Sequence, residues 1–133
     1  MTSHYHAVVW IDHREAKIFQ FNATDVDHTS VRSSHPHQHI HHKANAGDSG
    51  HAPVDNEFFK RVAQAIAQAG AILITGPANA KTELVSYIKK HEQHLAERIS
   101  GVETLDHPTD GALVALARTF FKADDRMHSQ TQR

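Results

Sequence analysis

Six histidines crowd into one stretch of this chain: His35, His37, His39, His41, His42 and His51. Near pH 7 an exposed imidazole is mostly neutral, so it offers hydrogen bonding and metal ligation rather than fixed charge. On an extended segment, side chains two apart share a face. His35, His37, His39 and His41 would then line one side, where they could bind Zn²⁺, Ni²⁺ or Cu²⁺ or touch RNA phosphates and bases. No Asp or Glu lies between His35 and His42, and alternate spacing alone does not set a tetrahedral site. We therefore read these residues, with Lys43, Gly47 and Gly50, as a loop that contacts RNA or protein and holds no resident metal or cofactor.

Three further features could carry chemistry. Asp12 ends an apolar run, where a two-metal nuclease of suitable fold would place a carboxylate. The strand ending at Thr75-Gly76 offers no acidic partner, so a turn-capping Asp12 is the better reading. Gly76-Pro77-Ala78-Asn79 precedes a helix start, with Lys81 in the first turn, and backbone N–H groups at such an end can hold an anion. Gly76, Asn79 and Lys81 are thus a candidate anion-binding turn, although they lack the spacing of a phosphate-binding P-loop. A structural strand-to-helix turn is the simpler account. Lys89-Lys90, with Arg98 nearby, reads as a small solvated basic face. No catalytic residue is assigned.

The elements that must position these residues follow from periodicity. His6 to Ile11 is a nearly continuous apolar run, as in a strand buried on both faces. Ala16 to Phe21 makes a second strand after the Asp12–Glu15 turn, and Asp25 to Ser33 a polar third strand at a sheet edge. Periodicity stops from Ser34 to Pro53, a long connection of the kind that usually carries function. Asp55 is placed to cap a helix bearing Phe58, Phe59, Val62, Ala65, Ile66 and Ala69, with Gly70 ending it in the left-handed conformation. Ala71 to Thr75 is a buried strand. Asn79 is placed to cap the next helix, with Leu84, Val85 and Ile88 inward and a further helical piece through Leu95 and Ile99. Gly101 to Leu105 is the last strand, and Thr109 caps a final helix before a flexible polar tail at 124–133. The order β-β-β-α-β-α-β-α predicts a single α/β domain over residues 1–123. Its expected architecture is a ribonuclease H-like mixed five-stranded sheet with helices packed on it.

The bulk composition agrees. A chain of 133 residues with 39% apolar and 22% charged side chains suits one domain with a true core. It has no cysteine, which excludes disulfides and thiolate metal sites. No basic-then-apolar leader and no bilayer-length apolar run is present, so a cytoplasmic protein without membrane contact is expected. The net charge of −1 makes binding to RNA by bulk electrostatics unexpected; any contact must be local.

The stretch Ala71-Ile-Leu-Ile-Thr-Gly-Pro-Ala-Asn-Ala-Lys-Thr-Glu-Leu84 resembles a signature of the archaeal and eukaryotic peptide-chain release factor and Pelota family. There an apolar strand enters a Gly-rich turn and a Lys-Thr-Glu-Leu-like helix start. The segment Phe58-Phe59-Lys60-Arg61-Val62-Ala63-Gln64-Ala65 is similar to the helix that precedes that strand. The likeness covers Phe58 to Phe121 and implies the fold of the family's middle domain. In that family a Gly-Gly-Gln loop before this helix works in peptide release. The corresponding stretch here, His41 to Gly50, has no Gly-Gly-Gln, so release activity is not implied. The resemblance does imply a non-catalytic module associated with the ribosome or a translation factor. A metal-binding protein of the same fold is the second reading, and a hydrolase acting on peptidyl-tRNA or nucleic acid the third.

Overall fold

A computed structural model of the chain describes residues 5–34 and 55–128. Five strands form one sheet: β1 (His6–Ile11), β2 (Glu15–Phe21), β3 (Val26–Arg32), β4 (Ala71–Gly76) and β5 (Ile99–Thr104). The helices are α1 (Asn56–Ala65), α2 (Ala80–His91), the single turn α3 (Gln93–Ala96) and α4 (Asp110–His128). Sheet order is β3-β2-β1-β4-β5. The β2 strand runs antiparallel to both neighbours, and β1, β4 and β5 are parallel. This is the mixed five-stranded α/β sheet that the element order predicts.

Strand β1 lies at the centre because it can be buried on both faces. Ala7, Val9 and Ile11 point into one core with Ile18, Ile72 and Ile74, against Phe58, Phe59 and Val62 of α1 and Leu84 and Ile88 of α2. Val8 and Trp10 point into the other core, with Phe19, Phe21 and Leu73 against Leu113, Ala117 and Phe121 of α4. The period of two in a strand sorts one continuous apolar run into two cores. Helices α1 to α3 cover one face and α4 the other. At the opposite extreme, β3 is exposed along nearly its whole length, the polar edge strand that its composition predicts.

The helix ends differ in detail from expectation. Helix α1 closes at Ala65 with Ile66 as its C-cap, and Gly70 does not adopt positive φ. Its N–H instead donates to the Tyr5 carbonyl at 2.7 Å, and a Cβ there would sit 2.1 Å from the Tyr5 ring. The carbonyls after α1 are satisfied by Arg98, whose Nη1 donates to Ala67 O at 3.0 Å and Ala69 O at 3.2 Å. Arg98 is therefore a helix-end clamp rather than part of a basic face with Lys89 and Lys90. Asn79 occupies the N-cap position of α2 with helical backbone and makes no side-chain cap. Strand β5 begins at Ile99, not Gly101. Thr109 does cap α4, accepting from Ala112 N at 3.1 Å, and that helix continues past Ala123 to His128.

Candidate functional site

Because β2 is antiparallel to both β1 and β3, β3 runs parallel to β1. Four strands, β1, β3, β4 and β5, therefore end at the same edge of the sheet. In open α/β sheets this carboxyl edge is where ligands and partners are met. The turns that leave it are tightly fastened.

Asp12 makes the first of them. Its Oδ1 accepts from Arg14 N at 2.8 Å and Glu15 N at 2.9 Å, an Asx-type turn. The following His13 places Nε2 3.1 Å from Glu83 Oε1 on α2, joining the β1–β2 turn to that helix. Ser33 N donates to Arg14 O at 2.9 Å, and Arg61 Nη2 on α1 donates to Arg32 O at 2.7 Å. The end of β3 is thereby pinned between the turn and α1.

Ser33 and Asp55 bracket the long connection. Ser33 Oγ donates to Asp55 Oδ2 at 2.6 Å, while Asp55 Oδ1 accepts from Phe58 N at 3.0 Å and caps α1. Thus Ser33 and Asp55, which flank the stretch 34–54 that holds the clustered histidines, meet at the carboxyl edge. His35, His37, His39, His41, His42, Lys43, Gly47, Gly50 and His51 themselves lie outside the described residues.

The Gly76 turn is built for close approach. A Cβ on Gly76 would lie 2.2 Å from the Ile11 carbonyl oxygen, so only glycine lets β4 leave the sheet beside β1. Thr75 is fully buried and donates its hydroxyl to Val9 O at 2.9 Å. Lys81 is 8% exposed, with Nζ 2.5 Å from Ala78 O. Its ammonium holds the turn's own carbonyl and is drawn in from solvent. Gly76, Asn79 and Lys81 are thus close in space, but the cation of the three is engaged within the protein.

Beside this edge, a cavity of about 420 Å³ opens between the start of α1 and the outer side of α2, lined by Asn56, Thr82, Glu83, Ser86, Tyr87, Lys90 and His91. Thr82, Ser86 and Lys90 form one i, i+4 row on α2, and Glu83, Tyr87 and His91 form the next. This polar double row is the signal by which periodicity could have found the groove. The contribution of Asn56 is a tertiary fact. Among the described residues, no group of three or more His, Asp or Glu side chains is arranged to hold a metal ion. No helix among them is long and apolar enough to cross a membrane.

No protein-family model and no curated protein matches the sequence. Several solved structures share the fold. Pelota of Archaeoglobus fulgidus superposes with a TM-score of 0.60 at 14% identity, over 86% of this chain and 30% of that one. Dom34 of S. cerevisiae, described as a translation termination-like factor involved in RNA quality control and interacting with Hbs1, gives 0.59 at 11% identity, over 95% of this chain and 37% of that one. The archaeal translation termination factor aRF1 gives 0.55 at 12% identity, over 96% of this chain and 40% of that one. The chain spans 30–40% of the length of these proteins. It has the fold of one domain of Pelota and release-factor-like proteins.

Proposed function

We propose that this protein is a non-catalytic binding module of the translation machinery, presenting residues 35–51 to the ribosome or to a translation factor. The observation that carries this reading is the closure of Ser33 on Asp55. It brings both ends of the 21-residue connection 34–54 to the carboxyl edge of the sheet, beside the polar groove on α2. The reading is supported by fold neighbours that include a translation termination factor and a termination-like factor. A net charge of −1 argues for a local contact, through histidines and a few cations, rather than general attraction to RNA.

Ribosome co-sedimentation of the intact protein at low salt tests the proposal. The protein is expected in the pellet with ribosomes, and a His37/His39/His41→Ala variant in the supernatant. A wild-type protein that stays in the supernatant, with stalled ribosomes included, would end this reading.

A further inference from the structure

At the opposite edge of the sheet, a second cavity of about 390 Å³ lies between the β2–β3 turn and α4, lined by His6, Phe21, Asn22, Ala23, Arg118, Phe121 and Lys122. We propose that it is a binding site for a small phosphate monoester.

Its charged lining consists of two cations, Arg118 and Lys122. The Arg118 guanidinium stacks over Phe21, 5.4 Å from the ring centroid, and Nη1 reaches Ala23 O at 3.3 Å. Arg118 Nε is buried and meets no acceptor among the described residues. An N–H of a charged group withdrawn from water without an acceptor is costly to maintain, and an anion against the same guanidinium would offset part of that cost electrostatically. Asn22 contributes in the same sense. Its Oδ1 is turned back into its own turn, accepting from Thr24 N at 2.9 Å and Asp25 N at 2.8 Å, so the amide NH₂ is the side-chain group that the turn does not use.

Charge selects the ligand further. Arg118 and Lys122 stand at i, i+4 on α4, where like charges repel, and among the described residues no carboxylate lines the cavity. A phosphate monoester is close to doubly charged at neutral pH, which matches these two cations. A backbone phosphodiester brings only one charge, and the cavity is concave and of small-ligand size. A planar guanidinium fork held by stacking on an aromatic ring suits phosphate oxygens. Phe21 and Phe121 are each 2% exposed, so their rings brace the site rather than stack on a ligand.

The test is an NMR titration of the intact ¹⁵N-labelled chain with inorganic phosphate, AMP and adenosine, following the Arg118 Nε–H signal and the amides of residues 21–23. Saturable shifts are expected with phosphate or AMP in the millimolar range or below, and none with adenosine. Lys122→Gln, an exposed substitution that leaves folding intact, should weaken AMP binding about tenfold, as expected for one charge-assisted contact. Arg118→Lys, which keeps charge and removes the fork, should weaken it too. The proposal is overturned by absence of saturable shifts with both phosphate and AMP. Affinities unchanged in both variants, or tighter binding of an RNA oligonucleotide without terminal phosphates than of AMP, overturn it equally.

Discussion

Ser33 and Asp55 are separated by 22 positions in sequence, yet their side chains share a hydrogen bond of 2.6 Å at the carboxyl edge of the sheet. The same carboxylate caps α1 through Phe58 N. One residue therefore starts the helix and closes the base of the connection. Asp55→Ala should cost about 2 kcal/mol, the upper range of a lost N-cap, because Ser33 loses its acceptor as well. Ser33→Ala should cost about 1 kcal/mol, the net worth of one hydrogen bond. The double variant should cost less than the sum, because the two substitutions remove one shared interaction. Urea unfolding of the three variants checks this. Strict additivity would mean that the Ser33–Asp55 contact carries no energy.

The two glycines Gly76 and Gly111 predict opposite outcomes for the same substitution. Gly76→Ala drives a methyl against the Ile11 carbonyl oxygen and should destabilise by about 3 kcal/mol or prevent folding, since backbone must move in a packed core. Gly111→Ala, in the first turn of α4 with open space around it, should stabilise by about 0.5–1 kcal/mol through helix propensity and unfolded-state entropy. Thermal melts of the two variants should move in opposite directions.

Lys81 offers a direct separation of structural from ligand-binding duty. With its ammonium on Ala78 O, Lys81→Met should cost about 1 kcal/mol of stability and leave ribosome pelleting unchanged. A loss of pelleting at full stability would reassign the Gly76–Lys81 turn to partner contact.

Phe59 of α1 is 1% exposed in the core, with Tyr87 of α2 at 6.1 Å between ring centroids. Phe59→Ala should cost about 3–5 kcal/mol, the range for emptying an aromatic site in a packed core. It should loosen the α1–α2 groove with it. Limited proteolysis and the urea midpoint report the two effects separately.

Local pattern was enough to read the order of strands and helices and the two-faced burial of β1. It also identified the polarity of β3, the capping roles of Asp55 and Thr109, and the turn role of Asp12. Each of these depends on residues within a few positions of one another, where periodicity and side-chain-to-backbone hydrogen bonds act directly. The likeness around Gly76 and Lys81 also carried the fold, because a close backbone approach leaves a glycine in the sequence.

Only the tertiary structure decided which groups met across the chain. Gly70 did not cap α1, which ends four residues earlier at its C-cap Ile66, and Arg98, nearly thirty residues later, takes the carbonyls of the segment that follows. Lys81 stood in the sequence as part of a candidate anion-binding turn or of a structural one, and only the fold put its ammonium on Ala78 O. The groove on α2 needed Asn56 from another element, and the second cavity needed Phe21 and Asn22 from β2 and its turn to meet Arg118 and Lys122 of α4. Such juxtapositions are set by strand order and by helix placement on opposite faces of the sheet. They depend on long-range packing, and no local spacing encodes them.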